Sequence, residues 1–207
     1  MFITFEGIEG VGKSTQLAHA ATQLRSHGID PLLTREPGGT PLAEALRALV
    51  LKRRDQPVGV TAELLMIFAA RANHVTDVIA PALAAGRWVL CDRFTDCTEA
   101  YQGAGQGVDV ATIRQLAAIA HPGLMPDLTL LLDAPPAAAL ARAASRGEKP
   151  DRFEAETGAF FERVRRGYLA IAAREPGRVR LIDATGSEQQ VAASIARELD
   201  LCRQKAG

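Results

Sequence analysis

Residues 7–14 read Gly7-Ile8-Glu9-Gly10-Val11-Gly12-Lys13-Ser14, a match to G-x-x-x-x-G-K-[ST]. In such a loop glycines let backbone N–H groups close around phosphates, a lysine reaches the outer phosphates, and a hydroxyl holds magnesium. Both flanks agree with this reading. The apolar run from Met1 to Phe5 reads as a buried strand, and Leu17, Ala20, Ala21 and Leu24 recur at helical spacing. Strand, glycine loop and helix follow in the order that aims a helix N-terminus at an anion. A glycine-rich turn that matched by chance would need neither flank.

Outward from this loop the chain keeps alternating. The first helix is expected to end near Gly28, and residues 31–34 form a short apolar strand that runs into Arg35-Glu36-Pro37-Gly38-Gly39-Thr40-Pro41. Thr40 is placed to cap, and Pro41 to open, a helix with Leu42, Leu46, Leu49 and Val50 toward the core. A long helical pattern covers about 62–85, with Leu64, Ile67, Phe68, Val75, Val78 and Ile79 in one stripe, Pro81 as a bend and Gly86 as a stop. Arg71 falls inside that stripe. Either it is a functional cation, or it snorkels to the surface or pairs with a core carboxylate.

A third strand, residues 88–91, ends at Asp92-Arg93. Ligands gather at the carboxyl ends of strands in open parallel sheets, so this pair is a candidate for magnesium and phosphate work, the alternative being a surface salt bridge. The glycine-rich run from Tyr101 to Gly107 reads as a flexible loop. A helix over about 110–120, a strand over 128–132 and a helix over 137–145 follow, the last carrying Arg142 and Arg146 at i and i+4. The spacing of Asp151 and Glu154 predicts a new helix start. Between them, a Gly- and Pro-containing segment of about 142–153, flanked by Arg142, Arg146 and Arg152, is a candidate mobile lid for a polyphosphate, or else a solvated basic turn. A fifth strand at 179–182 and a helix from 188 to about 201 complete the chain. Five strands alternating with helices predict one α/β domain over 1–207, a five-stranded parallel sheet with helices on both faces. The strand order is not readable from the sequence.

With 207 residues, 47% of them hydrophobic, the chain has room for one sizeable core. Twenty-four basic and twenty-four acidic side chains cancel, so no global field draws it to nucleic acid or membrane, and an anion site must be a local cluster. Cys91, Cys97 and Cys202 are odd in number and lack metal-ligand spacing with the four histidines. Reduced thiols and a cytoplasmic location are expected. No basic-then-apolar leader and no apolar run of membrane-spanning length is present, which predicts a soluble, unexported protein.

GTPases read guanine through Asn-Lys-x-Asp, but the only asparagine, Asn73, precedes His74. An ATPase, a kinase for a hydroxyl acceptor and a kinase for a phosphate acceptor remain. A hydroxyl acceptor generally needs a positioned base, whereas a phosphate monoester with a second pKa of about 6 is already largely anionic at neutral pH. Arginines that offset repulsion between two anions then matter more than a base. The chain offers Arg35, Arg47, Arg71, Arg93, Arg142, Arg146 and Arg152 at loops and helix ends.

Taken together, Phe5-Glu6-Gly7 through Ser14, residues 34–40, Asp92-Arg93-Phe94, Ala100-Tyr101-Gln102-Gly103, Pro126-Asp127-Leu128-Thr129, Arg146-Gly147 and Asp151-Arg152 resemble bacterial thymidylate kinases over essentially the whole chain. The resemblance implies a P-loop nucleoside monophosphate kinase fold, usually dimeric, in which ATP with magnesium phosphorylates dTMP to dTDP. It implies that residues 7–15, which are Gly7, Ile8, Glu9, Gly10, Val11, Gly12, Lys13, Ser14 and Thr15, together with Arg142, bind ATP. Ser14 and Asp92 would lie at the metal, and Lys13, Arg93, Arg146 and Arg152 would serve catalysis.

By the same resemblance Arg35, Arg47 and Arg93 would hold the dTMP phosphate, Arg71 and Gln102 the thymine, Glu9 the 3'-hydroxyl, and Tyr101 would crowd out a 2'-hydroxyl. Because Gly10 follows Glu9 and the arginines sit near 142–152, the chain is similar to the family branch with its catalytic arginine in the lid. One departure is that many relatives have a thymine-stacking phenylalanine where this chain has Ile67, and Phe68 is expected to take that role. Two other readings stay open: a kinase for another nucleoside monophosphate, and an ATPase or ATP-driven binding module.

Overall fold

The computed structural model describes residues 1–206 apart from 53–55, 57, 146–151 and 154–155. In chain order its elements are β1 (Phe2–Glu6), α1 (Lys13–Ser26), β2 (Leu32–Arg35), α2 (Pro41–Leu51), α3 (Val60–His74), a π-helical turn Val75–Ile79, α4 (Ala80–Ala84), β3 (Val89–Asp92) and α5 (Thr95–Thr98). A second π-helical segment, Glu99–Gly105, leads to α6 (Val110–Ala120), β4 (Leu128–Asp133), α7 (Pro136–Ala144), α8 (Gly158–Arg174), β5 (Val179–Asp183) and α9 (Glu188–Ala206).

All five strands are parallel, in the order β2-β3-β1-β4-β5. From β1 the chain first crosses beyond β3 to β2, and from β3 it crosses back over β1 to β4, so the direction of winding reverses at β1. A crevice opens at such a switch point, beyond the carboxyl ends of the strands. The register pairs Phe5 with Asp92, which sets the loop after β1 beside the Asp92-Arg93 end of β3.

Every residue of β1 is buried, as expected for a strand covered on both faces. Its side chains alternate between two apolar clusters. Ile3 and Phe5 join Leu17, Ala21 and Leu24 of α1, while Phe2 joins Val75, Ile79, Val89, Cys91 and Phe94. Among the described residues no helix is long and apolar enough to cross a membrane.

Two expectations about elements need correction. The helix over 62–85 is one run of helical backbone interrupted by the π turn at Val75–Ile79, just before Pro81, whose missing N–H removes a normal i to i−4 bond. The glycine-rich run after β3 is for the most part a buried π-helical segment and not a flexible loop. Gly105 within it and Gly167 of α8 serve close packing: a Cβ on Gly105 would sit 2.7 Å from the Phe160 ring, and one on Gly167 would sit 2.7 Å from Ala104 Cβ. The helix start expected at Asp151 and Glu154 falls on positions outside the described residues; α8 starts at Gly158, where the Thr157 hydroxyl accepts the Phe160 N–H as a cap. The apolar stripe of α8, Phe160, Phe161, Val164, Tyr168 and Ile171, begins only there.

Candidate active site

The phosphate loop is shaped by its glycines. Gly7, Gly10 and Gly12 have φ of 134°, 77° and 94°, a region that side chains rarely adopt. A Cβ on Gly10 would also overlap the Ala139 carbonyl of α7, and one on Gly7 would overlap the Leu132 carbonyl of β4. The loop is therefore clamped between its own turn geometry and two neighbouring backbones. Lys13 folds back over it, its Nζ donating to the Gly7 carbonyl at 3.1 Å and the Ile8 carbonyl at 2.8 Å. Burial, and then the Arg93 charge, hold this ammonium below the usual lysine range. Ser14 Oγ donates to Asp92 Oδ2 at 2.9 Å, while the buried Asp92 Oδ1 has no partner among the described residues.

Arg93 ends β3 with a left-handed backbone, φ 73°. From there its guanidinium reaches back across the site. Nη1 donates to the Gly7 carbonyl at 3.0 Å and to Tyr168 Oη at 3.3 Å, and Nη2 donates to Glu9 Oε1 at 2.9 Å. The Tyr101 hydroxyl donates to the other Glu9 oxygen, and its ring lies 5.0 Å from the Arg93 guanidinium carbon. Burial pushes the Tyr101 hydroxyl well above its ordinary pKa, so it stays a donor. Beneath this turn the Glu6 carboxyl, wholly buried, accepts the Phe94 N–H at 2.7 Å and the Tyr168 hydroxyl at 2.8 Å.

Arg71 comes from the opposite wall. It is 2% exposed, with Nε on Glu36 Oε2 at 2.5 Å and Nη2 shared by the Phe94 carbonyl and Thr98 Oγ1, each at 3.1 Å. Its Nη1 is buried without a partner, a donor whose desolvation nothing among the described residues offsets. Glu36 also contacts His74 Nδ1 at 3.1 Å. Burial pushes its carboxyl up, but Arg71 first and His74 second hold it below the ordinary range. On the same side Gln102 Nε2 donates to Glu63 at 2.8 Å.

One cavity of about 750 Å³ joins these groups. Lys13, Ser14, Thr15 and Arg142 line its end at the phosphate loop and β5, and Glu9, Asp92 and Arg93 its middle. Arg35, Arg47, Ile67, Arg71, Tyr101 and Gln102 line the rest. Arg142 donates twice to the Ala184 carbonyl at 3.1 Å, Arg35 pairs with Glu44 at 3.0 Å, and Arg47 donates to the Pro37 carbonyl at 2.9 Å.

Phe68, expected at the thymine, is not among the residues that line the cavity. Ile67 lies on the cavity wall one helical turn before Arg71, whereas Phe68, about 100° further round the helix, joins Leu64 and Ile113 in the core. Phe68 instead lies 4.9 Å beneath the Arg71 guanidinium. Arg152 is not on the wall; its Nη1 pairs with the buried Glu63. Arg146 lies outside the described residues.

Sequence reasoning overlooked Glu6, Glu36 and Glu63, all three almost fully buried. The signal for Glu63 was present, since Glu63, Ile67 and Arg71 share one helix face at i, i+4 and i+8. The signal for Glu36 was weaker: its neighbour Arg35 pairs with Glu44, and its own partners Arg71 and His74 are distant in sequence.

The model of the thymidylate kinase family matches residues 5–195. The thymidylate kinase of Chromohalobacter salexigens is 56% identical over 199 residues, 96% of this chain and 94% of that protein. That of Teredinibacter turnerae is 54% identical, with 96% and 97% covered. The crystal structure of thymidylate kinase from Ehrlichia chaffeensis superposes with a TM-score of 0.77 at 36% identity, over 96% of this chain and 98% of that one. With a family model over nearly the whole chain, a matching fold and relatives aligned nearly end to end, the chain belongs to the thymidylate kinase family.

Proposed function

We propose that the chain transfers the γ-phosphoryl group of ATP to dTMP, giving dTDP and ADP, and that the cavity is where both nucleotides meet. One observation carries this reading. One cavity runs from a phosphate loop, past Asp92 and Arg93, to a buried guanidinium with an N–H unpaired among the described residues. A hydrolase needs the first part; an enzyme that must hold a second, base-bearing substrate needs the last.

Lys13 leaves its two loop carbonyls to meet the outer phosphates of ATP, exchanging neutral acceptors for charged ones. Arg142 lies where the adenine end of ATP would rest, beside Ala184 and Gly186. Arg93, with Arg35 and Arg47, takes the dTMP phosphate, and it sits between the two anions, where repulsion is greatest as they approach. Arg71 Nη1 and the Gln102 amide hydrogen-bond the thymine edge over the wall made by Ile67. Tyr101 closes the sugar side, and Glu9 accepts the 3'-hydroxyl. Arg146 and Arg152, from the segment after α7, are assigned to the γ-phosphoryl group in flight. Arg152 must leave Glu63 to do so.

Magnesium fits the donor set. The Ser14 hydroxyl and the orphaned Asp92 Oδ1 are hard oxygen donors at the mouth of the phosphate loop. Ser14 and Asp92 would hold the ion, which when bound supplies positive charge against the ATP phosphates. We assign the enzyme to the cytoplasm and to a homodimer. The test is product stoichiometry. ATP and dTMP should give dTDP and ADP in equal amounts, and ADP without dTDP would leave a hydrolase.

A further inference from the structure

Glu63 has no exposed surface, and donors from three directions fill it. Gln102 Nε2 donates to Oε1 at 2.8 Å, Gln106 Nε2 donates to the same oxygen at 3.1 Å, and Arg152 Nη1 occupies Oε2. Gln102 lines the cavity, as does Arg71, two helical turns after Glu63 on the same face of α3. Glu63 itself does not line the cavity.

A side-chain amide has a donor end and an acceptor end, whereas a carboxylate paired with a guanidinium only accepts. The Gln102 nitrogen must therefore face Glu63, because turning the amide over would set oxygen against oxygen in a buried place. What Gln102 keeps for a ligand is its carbonyl oxygen and the second N–H beside it. That pair complements an N–H next to a carbonyl, the N3–H and O4 of thymine. Cytosine presents the reverse, a bare N3 next to an amino group, and would need the amide turned over.

We infer that Glu63 is a specificity-determining positioning residue, which fixes the Gln102 amide so that the acceptor site selects thymine over cytosine. The same carboxylate ties base selection to Arg152 in the segment after α7. This inference rests on the cavity being a dTMP site. It assigns part of the selectivity to a residue that never touches the base, by an arrangement that opposes the wrong partner as much as it welcomes the right one.

The experiment compares kcat/KM for dTMP and dCMP in the wild type and in Glu63→Gln. A glutamine at 63 can present either end to Gln102, so both amide orientations open. The dTMP:dCMP ratio should fall about tenfold, the size of roughly one hydrogen bond's discrimination. Arg71 keeps a residual preference, since its donors still oppose the cytosine amino group. Freeing Arg152 from Glu63 affects both acceptors alike and cancels from the ratio. Glu63→Met fills the same volume without any acceptor and should lower the ratio in the same direction. An unchanged ratio in either folded variant overturns the inference, and so does failure of both variants to fold, which would assign Glu63 to the fold. A wild-type enzyme that used dCMP as well as dTMP would overturn the reading of the cavity itself, and the inference with it.

Discussion

Glu9 and Arg93 face each other across the site, with Arg93 Nη2 2.9 Å from Glu9 Oε1. A carboxylate inside a loop built for anions is thereby turned away from the ATP phosphates, where it would be repelled. On the proposed placement of dTMP, its phosphate would compete with Glu9 for Arg93, and the carboxylate would then have the 3'-hydroxyl as a new donor. Removing that hydroxyl from dTMP should cost the wild type on the order of 1.5–3 kcal/mol of acceptor recognition, the range for hydrogen bonds to charged groups, and Glu9→Gln much less. Kd values for dTMP and its 3'-deoxy analogue check this. Equal penalties in the two enzymes would leave Glu9 as a partner of Arg93 alone.

Lys13→Ala should lower kcat by roughly 10²–10³-fold, as expected for a charge aimed at a developing anion, and leave the fold intact. The variant gives up two bonds to loop carbonyls and strands no buried charge. Thermal unfolding and single-turnover rates measure the two effects separately. A folded variant with near-normal turnover would remove Lys13 from the phosphates.

Arg71 is a different kind of site residue, because it also neutralises buried Glu36. Arg71→Ala should cost about 3–5 kcal/mol of stability by removing the guanidinium from that buried carboxylate and leaving it with His74 alone. Adding Glu36→Gln should recover part of the loss while dTMP affinity stays low. Urea unfolding and dTMP titration of the single and double variants check both halves. Full recovery of dTMP binding in the double variant would count against base recognition by Arg71.

Glu6 gives a pH dependence. Burial, followed by the nearby Asp96 charge, pushes its carboxyl from 4.5 up to about 8. The folded chain keeps the proton in a range where the unfolded chain has lost it, so this contribution is complete below about 4.5 and is lost as pH rises toward about 8. Glu6→Gln mimics the protonated acid. The Tm of the wild type should fall more steeply between about pH 5 and 8 than that of the variant, and parallel curves would contradict a buried neutral Glu6.

Local chemistry announced the phosphate loop, the Thr40 cap, the five strands and the Asp92-Arg93 strand end, because glycine spacing, apolar runs and capping residues are short-range signals. Strand order is a long-range property and left no local mark. The run from Tyr101 to Gly107 looked flexible because glycine serves mobility and close packing alike, and only the presence of α8 distinguishes the two. The choice between Ile67 and Phe68 turned on about 100° of helix rotation, which a stripe of apolar residues does not resolve. Glu36 and Glu63 are buried carboxylates whose partners lie 35 and 39 residues away, at Arg71 and Gln102. No pairing rule of neighbouring positions reaches that far.

The most direct measurement is ADP release from ATP with dTMP, dCMP, dAMP and dGMP offered in turn, and with no acceptor. The cavity between Lys13 and Arg71 predicts turnover that depends on an acceptor and is fastest, by kcat/KM, with dTMP. ADP release that needs no acceptor, or that favours another monophosphate, would contradict a thymine site at Arg71 and Gln102.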